Sequence, residues 1–330
     1  MALFESLIAA NKFKSAVLVG AFIVFYTGVI FLVVLGVLAL AWKYADWKEA
    51  FTAHSLLVGL LVAHALAVFL VLCASAGGAS LVLSVSRARR VRRQDDPELH
   101  NVVEEMALAS GLPMPAIYLM ESPALNALAT AYGERRAAVA VTRGLRKALD
   151  RDQLQAVIAH EMARIRNYDI ALMTLLAGLM GMLSMASQAV KELAISGVRT
   201  ARGSAETASL VFAVIILFFP LVLPAFFFAP FFVRLIQLAV SRERLFLADA
   251  EAARLTRYPE ALAQALERVA GDAQAVHPAA RATAHLFFVQ PVLEPGRRPS
   301  GASVWHSHPS IEERVARLRS IGNVEDGPPL

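Results

Sequence analysis

Ala156-Val157-Ile158-Ala159-His160-Glu161-Met162-Ala163-Arg164-Ile165-Arg166-Asn167-Tyr168-Asp169 is the stretch that decides how this chain is read. Asp150 has the position and chemistry of a helix N-cap, which predicts a helix from Arg151 to at least Tyr168. Residues three and four apart share a helix face, so Arg164 lies beside both Glu161 and His160. From Ile170 onward the sequence turns apolar. The helix therefore stands between a polar segment and a hydrophobic span.

Working outward, residues 94–168 read as a compact α+β segment. Pro97-Glu98 opens a helix through Ala109, with Val102, Val103, Met106 and Leu108 near helical spacing, and Gly111-Leu112-Pro113 stops it. Ala116–Met120 and Ala137–Val141 read as short strands around a loop containing Asn126 and Gly133. Further along, Arg234–Thr256, Pro259–Ala270 and Ile311–Ile321 read as helices. The long connection 271–309 holds Phe287-Phe288-Val289 as a short strand.

Four apolar spans surround these parts. Ser15–Trp42 carries no charge and exceeds the roughly 30 Å hydrocarbon core at ~1.5 Å rise per residue. No small-residue cleavage site follows it, so it reads as a retained helix rather than a signal peptide. Leu56–Val85 is the second span, and its His64 is expected to be hydrogen-bonded structure. Ile170–Ser187 is a weaker third span. Ala208–Val233 is the fourth, kinked by Pro220, Pro224 and Pro230. Spans three and four can instead form a hairpin that does not fully cross. After span two come Arg87, Arg89, Arg90, Arg92 and Arg93, a positive-inside signal that places this end in the cytoplasm. An even number of spans returns the C-terminal part to the same side.

Composition agrees. The 330 residues are 57% hydrophobic with a mean hydropathy of +0.54, above soluble globular domains. The net charge of +5 sits beside apolar spans and is not interleaved with aromatic residues, so no nucleic-acid partner is expected; the bilayer is. Cys73 is the single cysteine, which excludes an intramolecular disulfide.

The chemistry lies in the helix quoted first. Zinc peptidases place His-Glu-x-x-His on a helix so that both imidazoles reach one metal while the glutamate serves as general base toward the metal-bound water. Here His160 and Glu161 are present, and Arg164 stands at the second histidine position.

The surroundings make this short match specific. The helix resembles the active-site helix of the HtpX and CAAX prenyl protease family of membrane zinc metalloendopeptidases. Pro123-Ala124-Leu125-Asn126-Ala127-Leu128-Ala129-Thr130 looks like that family's Asn-Ala-Phe-Ala loop, with Leu128 for Phe. Ala138–Leu145 looks like the strand and turn before its active-site helix. Ser241–Ala250 resembles its third-ligand helix, and His285-Leu286-Phe287, His308-Pro309 and Glu313-Arg314 match late motifs. The resemblance covers nearly the whole chain. It implies a mainly α integral membrane fold of about four transmembrane helices with a cytoplasmic zincin-like α+β metallopeptidase domain. The expected division is 1–93, two spans and the basic junction; 94–169, the first half of the peptidase-like domain; 170–233, spans three and four; and 234–330, its second half. A bacterial inner membrane is the expected location, with both termini in the cytoplasm.

The resemblance also assigns roles. It makes His160 a zinc ligand, Glu161 the base, Asp249 a partner that orients the ligand histidine, and His308 a substrate contact. Asn126 and Ala138, Val139 and Ala140 would line the substrate groove. The third zinc ligand would be a glutamate after the Ser-Arg-x-Arg segment, where this chain has Leu245. An arginine, protonated below pH ~12, has no lone pair for zinc, and leucine has no donor. At 4 Å and an effective dielectric near 20, two unit charges repel by about 4 kcal/mol, and a dication roughly doubles that. Zinc is the family's cofactor, and none is predicted for this chain.

Arg164 is expected to occupy the vacated site and bridge Glu161 to Asp249. The competing placement is solvent, the default for arginine. A third arrangement rebuilds a metal site from His160 with His306 or His308. Three functional readings follow: a pseudoprotease that binds or regulates membrane-protein or peptide segments, an active endopeptidase with substitute ligands, and a non-catalytic membrane scaffold. The first and third differ in whether the groove beside an edge strand at Ala138–Val141 stays open to a peptide strand.

Overall fold

The computed structural model describes residues 2–44, 52–131, 136–179, 242–272, 281–291 and 309–325, with Gly181, Gln188, Glu192 and Gln274. The described structure is mainly helical, with one four-stranded sheet. It divides into two compact units, one holding residues 16–76 and the described parts of 178–235, the other residues 2–15, 77–177 and the described parts of 242–325.

The first unit is a helical hairpin made by the parts of α1 (Ala2–Tyr44) and α2 (Ala53–Val85) that fall within residues 16–76. Ser15–Leu32 and the whole of α2 are long and apolar enough to cross a membrane. The 33 residues of α2 rise about 50 Å, more than a ~30 Å hydrocarbon core needs. The two helices run antiparallel: Thr27 Oγ1 lies 3.1 Å from His64 Nδ1, and a Cβ on Gly59 would meet Val34 and Phe31. The contact face of α2 is made of small residues. Ala63, Ala67 and Ala74 are buried, with Val71 among them, while Leu61, Val62, Phe69 and Leu72 stay exposed. Lipid tails are as apolar as leucine, so close backbone approach over small residues is what membrane helices gain by packing.

The expected third and fourth spans fall largely outside the described residues. Residues 169–179, where the expected third span begins, form a short apolar helix, α6 (Asp169–Leu179).

The second unit is built around α5 (Arg151–Arg166). Its N-terminus is a capping box in which Asp150 Oδ1 accepts from the Gln153 amide at 2.9 Å and Gln153 Oε1 accepts from the Asp150 amide at 3.4 Å. Twelve of its sixteen residues, from Gln153 to Ile165, are buried. A helix buried almost all round is a core helix. α3 (Pro97–Ser110), α7 (Arg242–Thr256) and α8 (Pro259–Gly271) pack around it.

The sheet runs β1 (Ala88–Arg90), β2 (Ala116–Met120), β4 (Ala137–Thr142), β3 (Ala127–Ala131) in that spatial order. β2 and β4 are parallel; the outer pairs are antiparallel. The strand expected at the sheet edge is therefore interior. β4 is bonded by β2 on one side and β3 on the other, and all six of its residues are buried. Two strands were not expected. β1 follows directly from α2, and β3 forms from what reads as loop. The short α4 (Arg143–Ala148) starts at Thr142, whose Oγ1 accepts from the Leu145 amide at 3.2 Å.

The late segment returns to this core. A 3-10 turn (Arg281–Leu286) leads into Phe287, which bridges Leu128 on β3 in an antiparallel sense. α9 (Ile311–Glu325) packs on α7 and α8.

Candidate metal centre

His160, Glu161 and Arg164 sit on the buried C-terminal half of α5, and none is more than 3% exposed. Asp249, one turn beyond the buried Leu245 on α7, faces this group from the neighbouring helix. His160 Nδ1 lies 2.8 Å from Asp249 Oδ1. This contact links α5 to α7.

Asp249 does not meet Arg164. Its two oxygens accept from Arg314 on α9, Oδ2 from Nε at 2.8 Å and Oδ1 from the other guanidinium arm at 2.7 Å. Burial alone would raise the Asp249 carboxyl, but Arg314 and His160 outweigh it and hold it at about 2. It is ionised at neutral pH, so the imidazole presents its Nδ1 proton to it. Burial lowers the His160 pKa despite the neighbouring carboxylate, which keeps the ring neutral. Nε2 then carries the lone pair, buried and without a hydrogen-bond partner, with the Phe288 ring edge-on at 5.1 Å between centroids.

Arg164 points inward. One guanidinium nitrogen donates to both Glu161 oxygens at 3.3 and 3.2 Å, to the Leu286 carbonyl at 2.9 Å and, at the limit, to that of Phe287 at 3.5 Å. The other terminal nitrogen donates to the His285 carbonyl at 3.2 Å. Arg314 takes the next carbonyl, Phe288, at 3.0 Å and lies 4.9 Å from that residue's ring centroid. Four successive carbonyls of the late segment are thus held by two buried arginines. The expected Glu161–Arg164–Asp249 bridge is replaced by two separate pairs, because Arg314 reaches Asp249 bidentately and leaves Arg164 the carbonyls.

The same segment closes the free side of β3. The Phe288 amide donates to the Ala127 carbonyl at 2.8 Å. Asn126 is buried, and its side chain pairs with Val289 like a backbone, Nδ2 donating to the carbonyl at 2.9 Å and Oδ1 accepting from the amide at 3.3 Å. At the far end of β3 the Ala131 amide donates to Thr174 Oγ1 at 3.2 Å. Ala138, Val139 and Ala140 are buried in β4 and paired on both sides. The imidazole of His285 turns away from Arg164 and donates from Nε2 to the Met173 carbonyl at 3.1 Å. Burial lowers it to about 4. His306 and His308 lie outside the described residues.

This arrangement does not fit zinc. His160 Nε2 is one suitable donor, the Glu161 carboxylate is taken by a guanidinium, and Leu245 offers carbon only. Among the described residues no three His, Cys, Asp or Glu side chains group to hold a metal ion. Catalytic zinc sites use three protein ligands.

Sequence reading overlooked Arg314. It was visible only as part of a late motif, although an arginine on the helix face shared by Val315 and Leu318 is a signal for a buried ion pair. Arg244, which donates to Asp169 at 2.8 Å across α7 and α6, was overlooked for the same reason.

Comparison with known proteins agrees with the motif reading. The model of "Peptidase family M48" matches residues 93–322. A "Protease HtpX homolog" of Tropheryma whipplei (strain Twist) is 40% identical over 245 residues, 74% of this chain and 79% of that protein. Another, of Listeria monocytogenes serotype 4a (strain HCC23), is 33% identical over 324 residues, 97% of this chain and 100% of its own. Among solved structures, "Crystal Structure of S. mikatae Ste24p" aligns with a TM-score of 0.45 at 17% identity, covering 96% of this chain and 67% of that one. The chain belongs to peptidase family M48, the family of the HtpX-type membrane metalloproteases.

Proposed function

We propose that this chain is a catalytically degenerate member of its family, a membrane pseudoprotease in which a guanidinium takes over the cross-linking task of the metal. The observation that carries the reading is the fan of hydrogen bonds from Arg164 to Glu161 and to the carbonyls of residues 285–287. A divalent ion in that position would meet a fixed positive charge, and the glutamate that would act as base is occupied by the same group. In this reading Glu161 is a vestigial base, His160 the one retained ligand, and Asp249 keeps its orienting contact. Asn126 and β3 hold the chain's own 285–289 segment, and Ala138–Ala140 lie behind them in the interior β4.

That occupancy favours a non-catalytic membrane scaffold over capture of a peptide strand. β3 is bonded at Ala127 and at Ala131, and the interior β4 has no free edge to offer. The five arginines after α2 support a cytoplasmic second unit by the positive-inside rule, with four spans and an inner-membrane location.

Zinc content per chain of the detergent-purified protein tests the reading, measured beside an Arg164→His/Leu245→Glu double variant. The expected result is an empty wild type that cleaves no unfolded protein substrate, and a variant that loads about one zinc. Stoichiometric zinc in the wild type, with cleavage abolished by a chelator, would mean that an undescribed histidine completes the site and the chain is an active endopeptidase.

A further inference from the structure

We infer that the basic strand following α2 forms part of a binding pocket for the phosphate headgroup of an anionic phospholipid. The pocket is an open cavity of about 750 Å³ bounded by β1, the end of β2, the start of α3 and α4. Five cationic side chains line it. Two are neutralised within the pocket: Arg146 donates to Asp96 at 2.8 and 3.0 Å and to Glu98 at 2.6 Å, and Arg143 donates to Glu121 from Nε at 2.6 Å. These pairs consume three of the four acids. The fourth, Asp95, accepts from the Arg92 backbone amide at 2.9 Å and keeps its charge, so five cations face four acids and the lining is positive by one charge. Arg89, Arg90 and Lys147 are left exposed on the lining, and none of them forms an ion pair among the described residues.

Position selects the source of the anion. β1 begins three residues after Val85, the end of a helix long and apolar enough to span the bilayer. At about 3.5 Å per residue, Arg89 and Arg90 lie within roughly 20 Å of the helix end. The headgroup layer begins where the hydrocarbon core stops, so a spanning α2 delivers these side chains to it. Guanidinium groups bind phosphate oxygens through paired N–H donors, and each basic residue near an anionic surface strengthens binding about fivefold. The already paired Arg143 and Arg146 tie α4 to the end of β2 and to the start of α3, and Lys147 on α4 lines one space with Arg89 and Arg90 on β1. The inference rests on α2 crossing the membrane and is independent of whether the peptidase site is disarmed.

The test uses full-length protein, delipidated in a zwitterionic detergent, and native mass spectrometry of lipid binding. Dioleoyl-phosphatidylglycerol is expected to bind at least tenfold tighter than dioleoyl-phosphatidylcholine. Arg89→Gln/Lys147→Gln is expected to remove most of that preference, at least fivefold more than Arg92→Gln/Arg93→Gln, which deletes the same charge outside the pocket. All four side chains are exposed, and an unchanged melting temperature checks that each variant is folded. Equal losses in the two variants would reduce the pocket to diffuse surface charge and overturn the proposal. So would equal binding of the two lipids. Displacement of the lipid by millimolar inorganic phosphate would assign the site to a soluble anion instead.

Discussion

At position 164 the exchange of an imidazole for a guanidinium changes what the buried face of α5 can hold. A neutral histidine offers a lone pair, whereas an arginine offers five N–H donors and a charge. Glu161 is fully buried and Arg164 is its ion-pair partner, so removing Arg164 strands a carboxylate. Arg164→Met is expected to cost about 3–5 kcal/mol, and adding Glu161→Leu should recover part of it, because the stranded charge goes while the carbonyls of 285–287 remain short of a donor. Denaturant unfolding of the four members of this double-mutant cycle measures both terms. His285 supplies a pH dependence. Its folded pKa of about 4 lies below the ordinary 6.5, so the unfolded chain binds the extra proton between those values. Stability is then retained above pH 6.5 and falls as the pH drops toward 4, by about 3 kcal/mol at roughly 1.4 kcal/mol per pH unit. His285→Gln should flatten the decline of melting temperature between pH 7 and 4.5. It should not abolish it, since burial lowers His160 as well. That Arg164 and Leu245 offer no lone pair to a metal was legible from single residues, because it depends on what a side chain can donate. The choice of partners was not. Arg164 bonds carbonyls more than 120 residues away, in a connection whose composition carries no periodic signal.

At the scale of elements, the regular helices were the easy part. α3, α5, α8 and α9 follow from apolar spacing, an N-cap aspartate and stop signals. β1 and β3 were hidden for opposite reasons. β1 is a run of arginines that pairs with β2 by its backbone alone, and β3 reads as loop because alanine and glycine around it weaken strand preference. Its pairing was decided by β4 beside it and by Phe287 bridging from the far end of the chain. The turn between β4 and α4 is similarly tertiary. Gly144 donates to the Ser122 carbonyl at 3.0 Å, and a Cβ there would stand 1.9 Å from the Pro123 carbonyl oxygen. Backbone cannot yield as a flexible side-chain tip does. Gly144→Ala is therefore expected to destabilise by about 3 kcal/mol or more, at or beyond the upper end of overpacking costs. Thermal unfolding of the purified variant checks it, with Gly77→Ala, where no atom lies within 4 Å of the added methyl, as the near-neutral control.

For the molecule as a whole, hydropathy and one motif sufficed to identify a membrane member of peptidase family M48, because both are written in short windows. A 33-residue apolar run is long enough to span a membrane whatever surrounds it, and a residue without a lone pair cannot ligate zinc in any fold. Those conclusions belong to the sequence by itself. Which groups Arg164 and Asp249 bond belonged to the tertiary structure. Asp249 could have gone to either arginine, and the packing of α9 against α7 gave it to Arg314. Arg164 was left to satisfy the 285–287 carbonyls, which in turn set the late segment against β3. Buried polar groups must find partners, and which partners are within 3 Å is a property of assembled elements, not of any stretch of chain.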